Sequence, residues 1–264
     1  MKTDINKGDE VMSQYFDFED GNGLVPAHKH PRGGGWVANT AIVSGDARVS
    51  GYARVYGRAE VSGRATVYGR ARIYGDAKVS GRAEVSGRAE VCGDAEVSGR
   101  AEVCGDAEVC GDAEVYGGAT VYGCARISGR AEVCGDAEVS GGATVCGDTR
   151  VSGDARVSGR AQVYGDAKVF GRAIVLGDAV ISGDAVISGN AVVSGIRRSD
   201  GYTFVYVPDV DGVMKVQAGC RDFTMKEAKR HWRVTRGGTP LGDETMEILK
   251  ALKILSKVKP EGCV

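Results

Sequence analysis

The sequence predicts an all-β solenoid of about nine triangular coils carrying a small C-terminal α+β unit. Three observations predict it. From Val37 to Val193 an aliphatic residue returns at every sixth position, 27 times in all, and it is never anything but Val or Ile. Gly follows two places later in every copy from Val43 onward, as a recurrent corner with positive φ requires. Ala follows at the fourth place and is replaced within the array only by Thr149. A fixed short period with a fixed Gly means short strands broken by a turn each time. Three corners close one coil, so the array makes a rod on the order of 40 Å long at roughly 4.8 Å per coil. The aliphatic residue and the Ala point inward. A side chain larger than Ala is not expected to fit that slot.

Three segments follow: an N-terminal segment and cap, 1–36; the repeat array, 37–195; and a C-terminal ββαα unit, 196–264. The first twenty residues are acidic and aperiodic, so part of this segment is expected to be disordered. Its end is richer. Leu24, Val25 and Trp36 are expected to fold over the open first coil, with Gly33, Gly34 and Gly35 allowing close approach. His28 and His30 stand at i and i+2, a conceivable metal half-site. With no acidic or thiol partner beside them in sequence, a surface pair in a capping loop is preferred, and no metal or cofactor is predicted.

At Gly195 the period stops. Tyr202–Val207 and Val213–Ala218 alternate as two strands around Pro208–Gly212. Thr224 and Glu227 form a capping box for a helix through about Arg233. Leu241-Gly242-Asp243 precedes a second helix to about Lys257, with Met246, Ile248, Leu249, Leu252 and Leu255 as its apolar stripe. Cys220 and His231 invite a nucleophile hypothesis, but the sequence supplies no orienting partner.

A net charge of −1 and a pI near 6.3 give no global attraction to nucleic acid or membrane, so direct nucleic-acid binding is not expected. No secretory signal or run of eighteen apolar residues is found, which points to a soluble, cytoplasmic protein. Most of the eight cysteines replace Ser or Tyr in the repeat and are expected to be reduced thiols. Cys92 and Cys110 fall in adjacent coils, within disulfide reach.

The uniform Val-Ser-Gly-Asp-Ala and Val-Tyr-Gly-Arg-Ala copies resemble the hexapeptide-repeat superfamily, whose fold is a left-handed parallel β-helix. Together with Gly-Gly-Gly-Trp-Val and Gly-Cys-Arg-Asp-Phe-Thr, they look like hexapeptide proteins encoded by bacteriophages and prophages. The left hand, a homotrimer and a host-cytoplasm setting are what this resemblance implies. Many hexapeptide proteins are acyltransferases with a histidine base and loops between coils. Residues 37–195 contain neither a histidine nor an insertion.

The outward positions divide the array into bands. A basic band contains Arg48, Arg54, Arg58, Arg64, Arg70, Arg72 and Arg82. An acidic belt follows with Glu84, Glu90, Glu96, Glu102, Glu108 and Glu114. The last coils put Phe170, Ile174, Leu176, Val180, Val186 and Val192 outward, marking an oligomer or domain interface. The expected function is a non-enzymatic, phage-related interaction protein that binds a protein partner, such as a host defence protein, through a rigid charged rod. The alternatives are a hexapeptide-type, acyl-CoA-dependent acyltransferase and a nucleic-acid mimic built on the acidic belt. Local duplication of repeats explains the bands equally well without any function.

Overall fold

The computed structural model describes residues 14–183, 185–208, 213–218 and 221–255. It is a parallel β-solenoid of about nine turns with two C-terminal helices. Each repeat contributes a two-residue rung, such as Arg48–Val49, which pairs in parallel with the rung 18 residues on, Thr66–Val67. The rungs stack into three faces, which we call first, second and third in chain order. The first contains Arg54–Val55, the second Glu60–Val61 and the third Thr66–Val67.

The interior is a column of Val, Ile and Ala, almost all fully buried from Val49 to Ala179. Each buried Val contributes roughly 1.5–3 kcal/mol relative to exposure, and the addition of such rungs substitutes for a central core. The corner glycines from Gly45 to Gly189 have positive φ. Their stacking leaves no room for a side chain: a Cβ on Gly87 would lie 2.7 Å from the carbonyl oxygen of Gly105. Gly195 is an exception, because the backbone runs straight through it in the strand Val192–Arg197.

Thr149 corrects the expectation that only Ala fits its slot. It is fully buried, and its hydroxyl donates to the Cys146 carbonyl at 2.5 Å. The local hydrogen bond satisfies the one polar atom that the larger side chain brings inside.

Each end continues one face as antiparallel strands. At the N-terminus β1 (Gln14–Asp17) pairs with β2 (Leu24–Lys29), β2 with β3 (Trp36–Ala38), and β3 joins the first face beside Arg54–Val55. Phe18 is fully buried, while Leu24, expected in the cap, is 69% exposed. Strand alternation is the reason: Val25 and Ala27 take the inward side of β2 and leave Leu24 outside. The glycines do permit close approach. A Cβ on Gly35 would lie 2.6 Å from a Val49 methyl group. The disorder expected for the first twenty residues applies to residues 14–20 only in part, since β1 is ordered strand; residues 1–13 lie outside the described residues.

At the C-terminus Val192–Arg197 pairs with Thr203–Pro208, that strand with Met214–Ala218, and that one with Arg221–Thr224. The unit is therefore βββαα, one strand more than expected, and its sheet is the third face prolonged. Alternation along Thr203–Pro208 sends Val205 and Val207 into the rod's core, and Phe204 into a second core with Val216, Ala218, Ala228, Trp232, Leu249 and Leu252. Helix α1 (Met225–Arg236) begins at the capping box of Thr224 and Glu227 and runs one turn beyond Arg233. Helix α2 (Pro240–Leu255) starts earlier than expected, at a proline suited to a first helical position. Among the described residues no helix is long and apolar enough to cross a membrane.

Candidate functional site: the charged faces

The acidic belt is not one surface. Glu90 and Glu108 lie on the first face, Glu96 and Glu114 on the second, Glu84 and Glu102 on the third. On the first face Arg72 and Arg126 bracket the pair, at 3.7 Å from Glu90 and 3.5 Å from Glu108. On the second, Lys78 lies 3.0 Å from Glu96, and Arg150 lies 2.5 Å from Glu132 beyond Glu114. Glu114 itself sits between two other glutamates.

The third face differs. Its Glu84 and Glu102 are bracketed by Thr66 and Thr120, and neither carboxylate has an ion-pair partner among the described residues. Beside them, on the corner shared with the second face, Arg64, Arg82 and Arg100 stack one coil apart. Their amides donate to the carbonyls of Gly81, Gly99 and Gly117, which fixes the ladder in register. None of the three guanidinium groups is ion-paired among the described residues. Each lies two places before the third-face residue, so an arginine column runs beside a threonine–glutamate column.

The rest of the basic band is divided. Arg54 and Arg72 reach back to Glu19 at 3.0 and 3.5 Å, and hold its carboxyl below the usual carboxylate range, Arg54 foremost. Arg58 pairs with Asp76 at 2.7 Å. Arg48 and Arg64 line a groove of about 500 Å³ with Arg32, Asp46 and Thr66. In that groove Arg32 pairs with Asp46 at 2.8 Å and lowers its carboxyl pKa. Arg70 stands on the opposite corner of the third face, also without an ion pair among the described residues.

The apolar exit is likewise split by face. Val192 is buried, because α2 packs on the strand Val192–Arg197. Ile174, Leu176 and Val180 are half-buried. On the second face Phe170 is 40% and Val186 53% exposed, so the C-terminal unit leaves these two uncovered.

Other sequence candidates resolve as follows. His28 Nδ1 lies 3.1 Å from Asn39 Oδ1, and His30 is buried, with its pKa lowered chiefly by that burial. They form no metal-ligand cluster with each other among the described residues. Cys92, Glu108 and Cys110 on the first face do have ligand atoms within 4.8 Å of one another. Burial pushes the Cys110 thiol up to about 11 and raises Cys92 as well, so both are protonated at neutral pH. Cys220 lies outside the described residues. His231 stacks on Phe223 with ring centroids 5.0 Å apart, beside a shallow pocket of about 400 Å³.

Two features go beyond what the sequence suggests, although its 18-residue period already stacks Tyr56 and Tyr74 on one face. Phe16 stacks on Trp36 at 4.4 Å, Phe18 on Tyr56 at 4.9 Å, and Tyr56 on Tyr74 at 5.1 Å, a ring ladder that seats the cap on the first face. Arg198, almost fully buried, grips Asp200 at 2.7 and 2.9 Å and lies 5.2–5.5 Å over the rings of Tyr202, Phe204 and Trp232. The cap's alternation Tyr15-Phe16-Asp17-Phe18 was a signal for the first; nothing local marks Arg198.

A family model described as the YdcK β-solenoid repeat matches residues 41–57 and 150–165. No curated protein matches the chain. Repeat, fold and family model agree that the chain is a β-solenoid repeat protein.

Proposed function

We propose that this chain is a non-enzymatic interaction protein that binds a protein partner by charge through the third face of its rod. The observation that carries the reading is the ladder Arg64, Arg82 and Arg100 beside Glu84 and Glu102, all without ion pairs among the described residues on a backbone lattice held by hydrogen bonds of 2.6–3.0 Å. Like charges stacked one coil apart oppose folding, so their retention favours a partner that neutralises them. A rigid lattice also spares the ordering cost that flexible charged side chains and loops carry into an interface. The partner's matching surface is an acidic row beside a basic one.

The test is co-purification from lysate of the source cell with the wild-type chain and with an Arg64→Glu, Arg82→Glu, Arg100→Glu variant, read by mass spectrometry. A protein retained by the first and lost from the second is expected, and its binding is then measured with purified components. An unchanged set of bound proteins overturns the reading. Phe170 and Val186 give the second face an apolar patch, and we propose that it supports self-association as a trimer. Light scattering of a homogeneous 27.5 kDa monomer at micromolar concentration would exclude that.

A further inference from the structure

The net charge of −1 conceals a segregation. Residues 196–264 hold thirteen Lys and Arg against nine Asp and Glu, and the excess lies in α1. Lys226, Lys229, Arg230, Arg233 and Arg236 follow one another at i, i+3, i+4, i+7 and i+10, which places all five on one stripe about a third of the helix circumference wide. Lys229 is half-buried and the other four are exposed. None has an ion-pair partner among the described residues. The helix's one carboxylate, Glu227, is occupied at the N-terminus, where it accepts from the Thr224 amide at 2.8 Å. Arg233 and Arg236 favour the C-terminal end of the helix dipole, but Lys226 in the first turn opposes it, so helix stability does not account for the stripe.

We infer that α1 is a docking surface for the phosphate backbone of double-stranded DNA, bound without sequence preference. This goes beyond the proposed function and rests on a different element. Charge complementarity selects a polyanion, and the surroundings of the stripe select which one. An interfacial membrane helix needs a broad exposed apolar face, whereas α1 has buried Ala228 and Trp232 in its own core and exposes a single large apolar side chain, Val234, beside the stripe. The third face sets an arginine column beside a glutamate column, which suits a protein surface of both signs, whereas the α1 stripe is of one sign only, which suits a uniformly anionic backbone. Single strands are held by exposed aromatic rings, but His231 is stacked on Phe223 and Trp232 is 7% exposed. The stripe spans about 15 Å along the helix, and the roughly 12 Å major groove of B-form DNA admits a helix, while that of A-form RNA is too narrow for side chains to read.

The test uses the full chain and a fluorescein-labelled 20-base-pair duplex, read by anisotropy at about 50 mM salt, where phosphate contacts are strong. We expect binding whose log affinity falls against log salt with a slope of about −3 to −4, as for four phosphates. Arg230→Glu with Arg233→Glu is expected to weaken it at least tenfold. A milder pair, Lys226→Gln with Arg236→Gln, keeps the result interpretable if circular dichroism shows that the first has unfolded, and is expected to weaken binding about threefold and flatten the slope by about 2. Arg64→Glu with Arg82→Glu on the rod is expected to leave DNA affinity unchanged, which separates this inference from the proposed function. Absence of binding at low salt, unchanged affinity in both α1 variants, loss of binding in the rod variant, or tighter binding to the single strand or to phosphatidylserine vesicles each overturns it.

Discussion

The two ends of the rod are both closed by three antiparallel strands, yet they are built on different principles. The N-terminal cap prolongs the first face and extends a ring column that the rod already contains, from Tyr74 and Tyr56 to Phe18. It has only a small cluster of its own, Phe18, Ala27, Ala38 and Tyr56, and two of those four belong to β3 and the rod. The C-terminal unit prolongs the third face but uses strand alternation to serve two cores, one in the rod and one beneath α1 and α2. A cap of the first kind cannot fold without the rod. One of the second kind has a core that can be lost while the rod stays intact, so stability is expected to divide along the chain.

The largest effect is expected at Arg198. Its guanidinium donates to Asp200 and, at 2.8 Å, to Thr245 on α2, which ties the helical layer to the sheet. Arg198→Ala removes a buried cation from three rings and a charged donor from Thr245, whose hydroxyl keeps its bond to the Leu241 carbonyl, at a cost of about 3–4 kcal/mol. In a Trp36→Phe background, the fluorescence of Trp232 reports this unit alone. An early fluorescence transition with an unshifted far-ultraviolet transition of the rod is expected; one shared transition would show that the ends are not independent.

Acid tests the same contact. The Arg198 guanidinium holds the Asp200 carboxyl at about 2, below its ordinary value. A depressed carboxylate pKa contributes stability that is fully present above the unfolded value, near 3.9, and is lost as pH falls through the folded value. The Trp232 signal should therefore lose stability between about pH 4 and pH 2, and Asp200→Asn should flatten that window. An equal acid response in the variant would assign it to other carboxylates.

Phe18→Ala comes next, at about 3 kcal/mol for a fully buried ring. The comparison predicts where the loss appears. Amide exchange should accelerate in β1 and β2, while the Trp232 transition stays in place. If the whole rod were to unfold earlier, the cap would be a cornerstone of the solenoid and not a lid on it.

How legible this was depends on the range of the interactions. The rod follows from residues six apart: Val or Ile, Gly and Ala each have one possible place in a triangular coil, so period alone gives rungs, corners and core. Charge is a matter of residues 18 apart. Taken in chain order, Glu84 to Glu114 form one belt; sorted by face, the same six residues become three pairs, only one of them flanked by threonines on both sides. The sequence contained that sorting, and period-18 bookkeeping of ion pairs recovers it. Arg198 is different, because its partners Thr245 and Trp232 are joined to it by the packing of α1 and α2 on the sheet, which no local pattern encodes.

The smallest effect distinguishes the rings of the N-terminal cap from its charges. Arg54 donates to the Phe18 carbonyl at 3.1 Å, pairs with Glu19 at 3.0 Å and lies 5.3 Å from the Phe16 ring centroid. Glu19 is held at φ 61°, a left-handed conformation unfavourable to a residue with a side chain, so Arg54 also secures a strained turn. Arg54→Met keeps much of the stem packing and removes the polar contacts, for an expected loss of about 1 kcal/mol seen as faster amide exchange around residues 14–29. Because Glu19 is exposed, part of that loss should vanish in about 1 M salt, where exposed charges no longer feel each other. An Arg54→Met chain with wild-type exchange at both salt concentrations would leave the ring ladder as the whole attachment, and Phe18→Ala would then release the cap completely.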